Sequence, residues 1–117
     1  MPKTYAAAYN GIQYFGNWVY DGTRRYTSIQ YSRCIFTFSG SFVRVYFNTR
    51  PDGGMAKIYV DGEYQATVNT ENSENLKQML FEKTDIAGDK IHEITVVSEK
   101  VKSRPHAVLE VWSFEAD

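Results

Sequence analysis

Two short segments of this chain alternate apolar and polar side chains so strictly that they admit little besides β-strand. In CIFTFSG, Cys34, Phe36 and Phe38 fall on one face, and Ile35 and Thr37 on the other. In SFVRVYFNT, Val43, Val45 and Phe47 share a face, while Arg44, Tyr46 and Asn48 share the opposite one. Successive side chains of a strand point to opposite sides of a sheet, so this spacing separates a core face from a second face. A slip of one residue would bury Arg44, and the pairing register is therefore firmly specified.

The same logic continues along the chain. RPDGG, residues 50–54, is a Pro–Asp–Gly turn signal. MAKIYV and EYQATV flank Asp61–Gly62, the strongest hairpin signal present, because a type I′ turn needs positive φ at both central residues. Ala56, Ile58 and Val60 form one face of the first arm; Tyr64, Ala66 and Val68 form one face of the second. NTENSEN reads as a polar loop. LKQMLFEK reads two ways: Leu76, Met79, Leu80 and Lys83 suit a helix, and Met79, Phe81 and Lys83 suit a strand. HEITVVSE resumes the alternation, KVKSRPHA is a basic loop with Lys100, Lys102, Arg104 and His106, and AVLEVWSFEAD reads as a closing strand. About eight short strands with turn signals between them, and no convincing helix, predict an all-β antiparallel sandwich. At 117 residues the chain fits one domain, residues 1–117, and it contains no internal repeat.

Composition narrows the function classes. Aromatic residues make up 15% of the chain and include nine tyrosines, which favours sheet. The net charge of −1 argues against a nucleic-acid or anionic-membrane partner. A lone cysteine, Cys34, excludes an internal disulfide and reads as a small buried hydrophobe within RCIFTF. No run approaches the roughly 20 apolar residues of a membrane span, and MPKTYAAAYNG lacks the apolar stretch of a signal peptide. The expectation is thus a protein acting without secretion, or a piece of a longer secreted one.

Catalysis is not expected. There is no G-x-S-x-G elbow, since Ser39 and Ser41 merely flank Gly40 in a turn. His92, at a strand start, and His106, in the basic loop, have no Cys or Asp partner at diagnostic spacing. One cysteine and two distant histidines do not make a zinc site.

The order of landmarks GNWVYDGTRRYTS, FTFSGSFVRVYF, GGMAKIYVDGEYQATV, LKQMLFEKTDIAGDKIHEITVV and VLEVWSFE resembles the galactose-binding-like jelly-roll superfamily over roughly residues 12–116. Within it, the chain is similar to the non-catalytic carbohydrate-binding modules of secreted enzymes and bacterial surface proteins, and to modules of phage tails and virions. The resemblance implies a jelly roll of eight to nine strands, and an extracellular or virion-associated setting within a larger protein or assembly. It also implies a poly- or oligosaccharide partner or neighbouring protein modules. Relatives usually carry an Asp two residues before the terminal aromatic; here that position is Trp112. Some relatives hold a structural Ca²⁺ through acidic residues near the C-terminus. Glu110 and Glu115 stand there, but without the acidic cluster that Ca²⁺ requires, so no cofactor is firmly expected.

A sugar ring offers an apolar C–H face and a rim of hydroxyls, which call for a flat aromatic and for Arg, Asn or Asp side chains around it. The stretch YFGNWVYDGTRRYTSIQYS supplies both: Trp18, Tyr20 and Tyr26 as rings, and Asp21, Arg24 and Arg25 as rim. Trp18 either caps the core or presents its ring to a ligand. FNTRPDGG adds Asn48, Arg50 and Asp52 at a strand end, and the basic loop adds Lys102, Arg104 and His106. By the resemblance, loops 16–28, 48–54 and 99–106 meet at one end of the sandwich and favour an acidic or highly hydroxylated glycan. The competing expectation is a structural or adhesion module, as in a phage tail, that holds protein neighbours with the same surface.

Overall fold

Among the described residues, the alternation is realised as eleven strands in two antiparallel sheets. The computed structural model describes residues 2–117 apart from Thr23, Lys102 and Pro105. The strands are β1 Lys3–Ala6, β2 Ile12–Phe15, β3 Val19–Tyr20, β4 Arg25–Thr27, β5 Arg33–Ser39 and β6 Val43–Thr49. They continue with β7 Met55–Val60, β8 Glu63–Asn69, β9 Leu76–Lys83, β10 Ile91–Glu99 and β11 Leu109–Ala116. No helix occurs among the described residues. The first sheet runs β3-β4-β11-β6-β9, with β1 also paired to β11; the second runs β2-β5-β10-β7-β8. The count exceeds the eight to nine expected because β1 to β4 are only two to four residues long, too short for alternation to show.

Both inner faces meet in one apolar core. Phe36 of β5 stacks on Phe114 of β11 with ring centroids 4.9 Å apart, so one aromatic contact spans the two sheets. Val45, Phe47, Ile58, Ile94, Val96 and Val111 are fully buried around it. Each such side chain contributes about 1.5–3 kcal/mol through removal of apolar surface from water. Cys34 lies in this core, and its burial pushes the thiol pKa up to about 12, only partly offset by a backbone hydrogen bond at Val96.

Three β-bulges explain where simple alternation misleads. On β8, Ile58 pairs with Ala66 but Tyr59 pairs with Tyr64, so Gln65 is the extra residue. Tyr64 therefore does not share the face of Ala66 and Val68, as alternation predicts. It stands outside against Tyr59, with ring centroids 5.9 Å apart, and is 56% exposed. On β9, Val45 pairs with Phe81 and Tyr46 with Met79, which leaves Leu80 extra. The insertion produces the helix-like spacing of Leu76, Met79, Leu80 and Lys83, and it separates Met79 from the face of Phe81. On β11, Val111 pairs with Phe47 and Ser113 with Tyr46, so Trp112 is the extra residue.

Turn chemistry fixes the loops. Asp61 and Gly62 have φ of 52° and 82°, the two positive values the hairpin signal demands. In the 50–54 turn, the Gly53 amide donates to the Arg50 carbonyl at 2.9 Å. A Cβ on Gly53 would lie 2.2 Å from the Thr70 carbonyl oxygen, so only glycine lets the two backbones approach this closely. The Gly54 amide donates to the Val108 carbonyl at 2.7 Å, which ties the turn to the entry of β11.

Candidate functional site

On the outer face of the first sheet, β4, β11 and β6 bring Tyr26, Glu110 and Asn48 together. Tyr26 pairs directly with Glu110 across β4 and β11. Asn48 follows Phe47, which pairs with Val111, and so sits beside Glu110 on the other flank. The β3–β4 turn adds Asp21 and Arg24, the strand end adds Arg50, and the loop before β9 adds Asn75. These seven residues line an open cavity of about 440 Å³, within the size range of small-molecule sites.

Glu110 organises the floor. It is 2% exposed, and one carboxylate oxygen accepts from Asn48 Nδ2 at 2.6 Å and from Arg50 Nη1 at 3.4 Å. Its other oxygen lies 3.3 Å from Arg24 Nε. A buried carboxylate is costly unless paired and hydrogen-bonded, and here three side chains meet that need. Arg50 also reaches Asp52 through Nε at 2.5 Å and Nη2 at 3.2 Å. Burial works against the charge on Arg50, but Asp52 and Glu110 more than offset it, and the guanidinium pKa is raised. Arg24 pairs with Asp21 at 3.3 Å, while the Arg24 amide donates to the Asp21 carboxylate at 2.7 Å and closes the β3–β4 turn. The guanidinium of Arg24 lies 4.9 Å from the centroid of Trp112, and Lys77 Nζ lies 5.3 Å from the same ring. Cations thus approach the Trp112 ring, and Tyr26 is the aromatic that lines the cavity.

Of the residues singled out in the sequence, Asp21, Arg24, Tyr26, Asn48 and Arg50 converge here, and Asp52 adjoins them through Arg50. The others lie elsewhere. Trp18 packs edge-on against Tyr14 at 5.2 Å, and its indole N–H donates to the carbonyls of Phe15 at 3.0 Å and Arg33 at 3.2 Å. Tyr20 donates its hydroxyl to the Gly22 carbonyl at 2.9 Å, and Arg25 stacks on its ring at 4.8 Å. Arg104 donates to the Gly53 carbonyl, bracing the 50–54 turn from behind, and lines a separate cavity of about 250 Å³ with Ser28, Ile29, Lys100 and Val101. His106 is exposed and lines neither cavity. Lys102 lies outside the described residues. Asn75 carries no signal in the sequence beyond its loop, and Glu110 reads there only as a remnant of an ion site.

Arginines engage both Glu110 and Glu115. Glu110 faces two guanidinium groups, and Glu115 is held by Arg44 Nη1 at 2.5 Å. Among the described residues no group of three or more Asp, Glu, His or Cys side chains gathers.

His92 is buried in a separate cluster. Its Nε2 meets the Ala87 carbonyl at 2.7 Å and its Nδ1 meets the Asp61 carboxylate at 2.6 Å. Both partners are acceptors, which favours the imidazolium. The Ala87 hydrogen bond first, and Asp61 second, raise the His92 pKa. This ties the 61–62 turn to the 84–90 loop and leaves the ring no free nitrogen for proton transfer.

No family model matches the chain. Two curated proteins of Flavonifractor plautii are similar to it. An A type blood N-acetyl-alpha-D-galactosamine deacetylase is 37% identical over 78 residues, covering 67% of this chain and 10% of the relative. An A type blood alpha-D-galactosamine galactosaminidase is 32% identical over 79 residues, covering 68% of this chain and 7% of the relative. The chain therefore spans a tenth or less of the curated relatives it matches. Among solved structures, a family two carbohydrate esterase from Cellvibrio japonicus superposes with a TM-score of 0.80 at 12% identity, covering 99% of this chain and 33% of that one. The CBM36-1 domain of a multidomain xylanase from the hindgut metagenome of Trinervitermes trinervoides gives 0.68 at 11% identity, covering 98% and 95%. A family 35 carbohydrate binding module from an environmental isolate gives 0.67 at 14% identity, covering 96% and 90%. The chain has the jelly-roll sandwich fold of these carbohydrate-binding modules, as the resemblance in the sequence implied.

Proposed function

We propose that this chain is a non-catalytic carbohydrate-binding module that holds a sugar in the cavity over Glu110. The observation that carries this reading is the set of polar side chains fixed before any ligand arrives. The Asn48 amide and two guanidinium groups are anchored on one buried carboxylate, beside the half-buried ring of Tyr26. Anchored donors lose little freedom on binding, and a tyrosine covers the apolar face of a sugar at low rotamer cost. The near-complete coverage of two carbohydrate-binding modules supports the reading, as does local identity to enzymes named for galactosamine chemistry. The setting we infer is extracellular, within or beside a larger protein. In that setting weak binding of about 1 mM to 1 μM suffices, because neighbouring modules raise the effective concentration.

The test is a glycan array followed by calorimetry with the intact chain. Tyr26→Ala and Asn48→Ala should each weaken binding at least about fivefold, while Trp18→Phe should leave it unchanged. Glycan binding that survives Tyr26→Ala, Asn48→Ala and Arg50→Ala together would remove this site. A second reading, a structural or adhesion module acting through protein contacts, is favoured by one observation. Phe15, Tyr64 and Ile91 stand exposed on the outer face of the second sheet.

A further inference from the structure

The charge balance of the cavity bears on which sugars it takes, granted the reading above. Its two described cations are both engaged. Arg24 faces Glu110 and Asp21, each at 3.3 Å. Arg50 faces Glu110 at 3.4 Å and Asp52 at 2.5 Å. Within the lining these two guanidinium groups are matched by Asp21 and Glu110, and Asp52 adjoins them through Arg50. Lys77, a further cation of this face, is drawn over the rings of Tyr46 and Trp112, at 5.2 Å and 5.3 Å. We infer that the cavity selects uncharged sugars and turns away sugars that carry a carboxylate, contrary to the acidic glycans its arginines suggest in the sequence.

The physical reason is competition. A ligand carboxylate would need a guanidinium fork, but Arg50 already holds Asp52 through two N–H groups, and Arg24 is ion-paired to Asp21 with its Nε buried beside Glu110. Entering would add a third anion to the lining carboxylates Asp21 and Glu110, and Glu110 is buried and cannot withdraw into solvent. A hydroxyl carries no such penalty. It accepts from the side-chain amides of Asn48 or Asn75, which line the cavity.

The experiment uses calorimetry on the intact chain with matched series: glucose, glucosamine and glucuronate as methyl glycosides, then the same three in the galactose series. In the series that binds, the uronate is expected to be at least about fivefold weaker than the neutral member, a gap that narrows as salt rises. Asp52→Asn and Glu110→Gln each remove one negative charge, and each should move the preference toward the uronate. Asp52 is a surface residue, so its variant remains informative should Glu110→Gln fail to fold. A uronate that binds as tightly as its neutral partner, or a preference that neither variant moves, overturns this inference and leaves the glycan reading standing. Absence of binding by all six, with a blank glycan array, overturns the glycan reading and this inference with it.

Discussion

His92 shows how one side chain can set a pH limit on a fold. Its ring is clasped between the Asp61 carboxylate and the Ala87 carbonyl, and its pKa is raised above the ordinary 6.5. A raised imidazole pKa contributes stability that is fully present below 6.5 and is lost as pH climbs through the folded value. Asp61 runs the other way. Burial disfavours its charge, but the Glu93 amide and His92 more than offset this, and its pKa falls below 3.8. Its contribution is present above that ordinary value and is lost only as pH falls through the folded one. The pair therefore supports the fold most from about pH 4 up to the shifted imidazole value. Thermal melts should show wild type losing its advantage over His92→Gln as pH rises past 6.5, and keeping it at pH 5. A difference that stays constant from pH 5 to 9 would count against the imidazolium. None of this pairing was legible in the sequence, because Asp61 and His92 lie 31 residues apart and meet only through the β7–β10 ladder. Glu110 was hidden for a similar reason. One charged residue in an alternating strand reads as solvent-facing until its cross-strand neighbours are known to be Tyr26 and Asn48.

At the scale of elements, two glycines distinguish conformational cost from steric cost. Gly62 has a φ of +82°, and a methyl added there would meet nothing within 4 Å, so Gly62→Ala pays only for the left-handed backbone, about 1–2 kcal/mol. Gly53 meets the Thr70 carbonyl, which belongs to a backbone that cannot step aside. Gly53→Ala should cost more than Gly62→Ala in chemical denaturation, and should also loosen Arg50 and Asp52 in the same turn. Equal costs would place the close approach in doubt. The identities of β5, β6, β7, β8, β10 and β11 and the hairpin at Asp61–Gly62 were legible because they rest on period two and on turn chemistry, both local. The bulges at Gln65, Leu80 and Trp112 were not, since an extra residue is defined only against the strand opposite. They are why Tyr64 and Met79 turn outward.

Across the whole molecule, the two sheets present unlike outer faces. One carries the polar cavity; the other leaves Phe15 exposed beneath Arg33, whose guanidinium lies 4.6 Å from the ring, with Tyr64 and Ile91 also uncovered. If the glycan reading holds, sedimentation at micromolar concentration should find a monomer, since the cavity needs no second copy to be complete. A stable trimer or larger ring would favour assembly through the second face. The sandwich itself was legible in the sequence, and so were five residues of the cavity, Asp21, Arg24, Tyr26, Asn48 and Arg50. What the sequence withheld was depth: Trp18 and Tyr26 look alike as aromatics between polar neighbours, yet one donates its indole to backbone carbonyls and the other opens onto a cavity.

The pairing of β1 with β11 sets Lys3 opposite Ala116, so the chain enters and leaves the sandwich at one point. Glu110 lies six residues back along β11, roughly 20 Å away at the rise of a strand. A neighbour attached at either end would be moored roughly 20 Å from Glu110, and on the glycan reading it would leave the mouth of the cavity open whichever side the attachment came from.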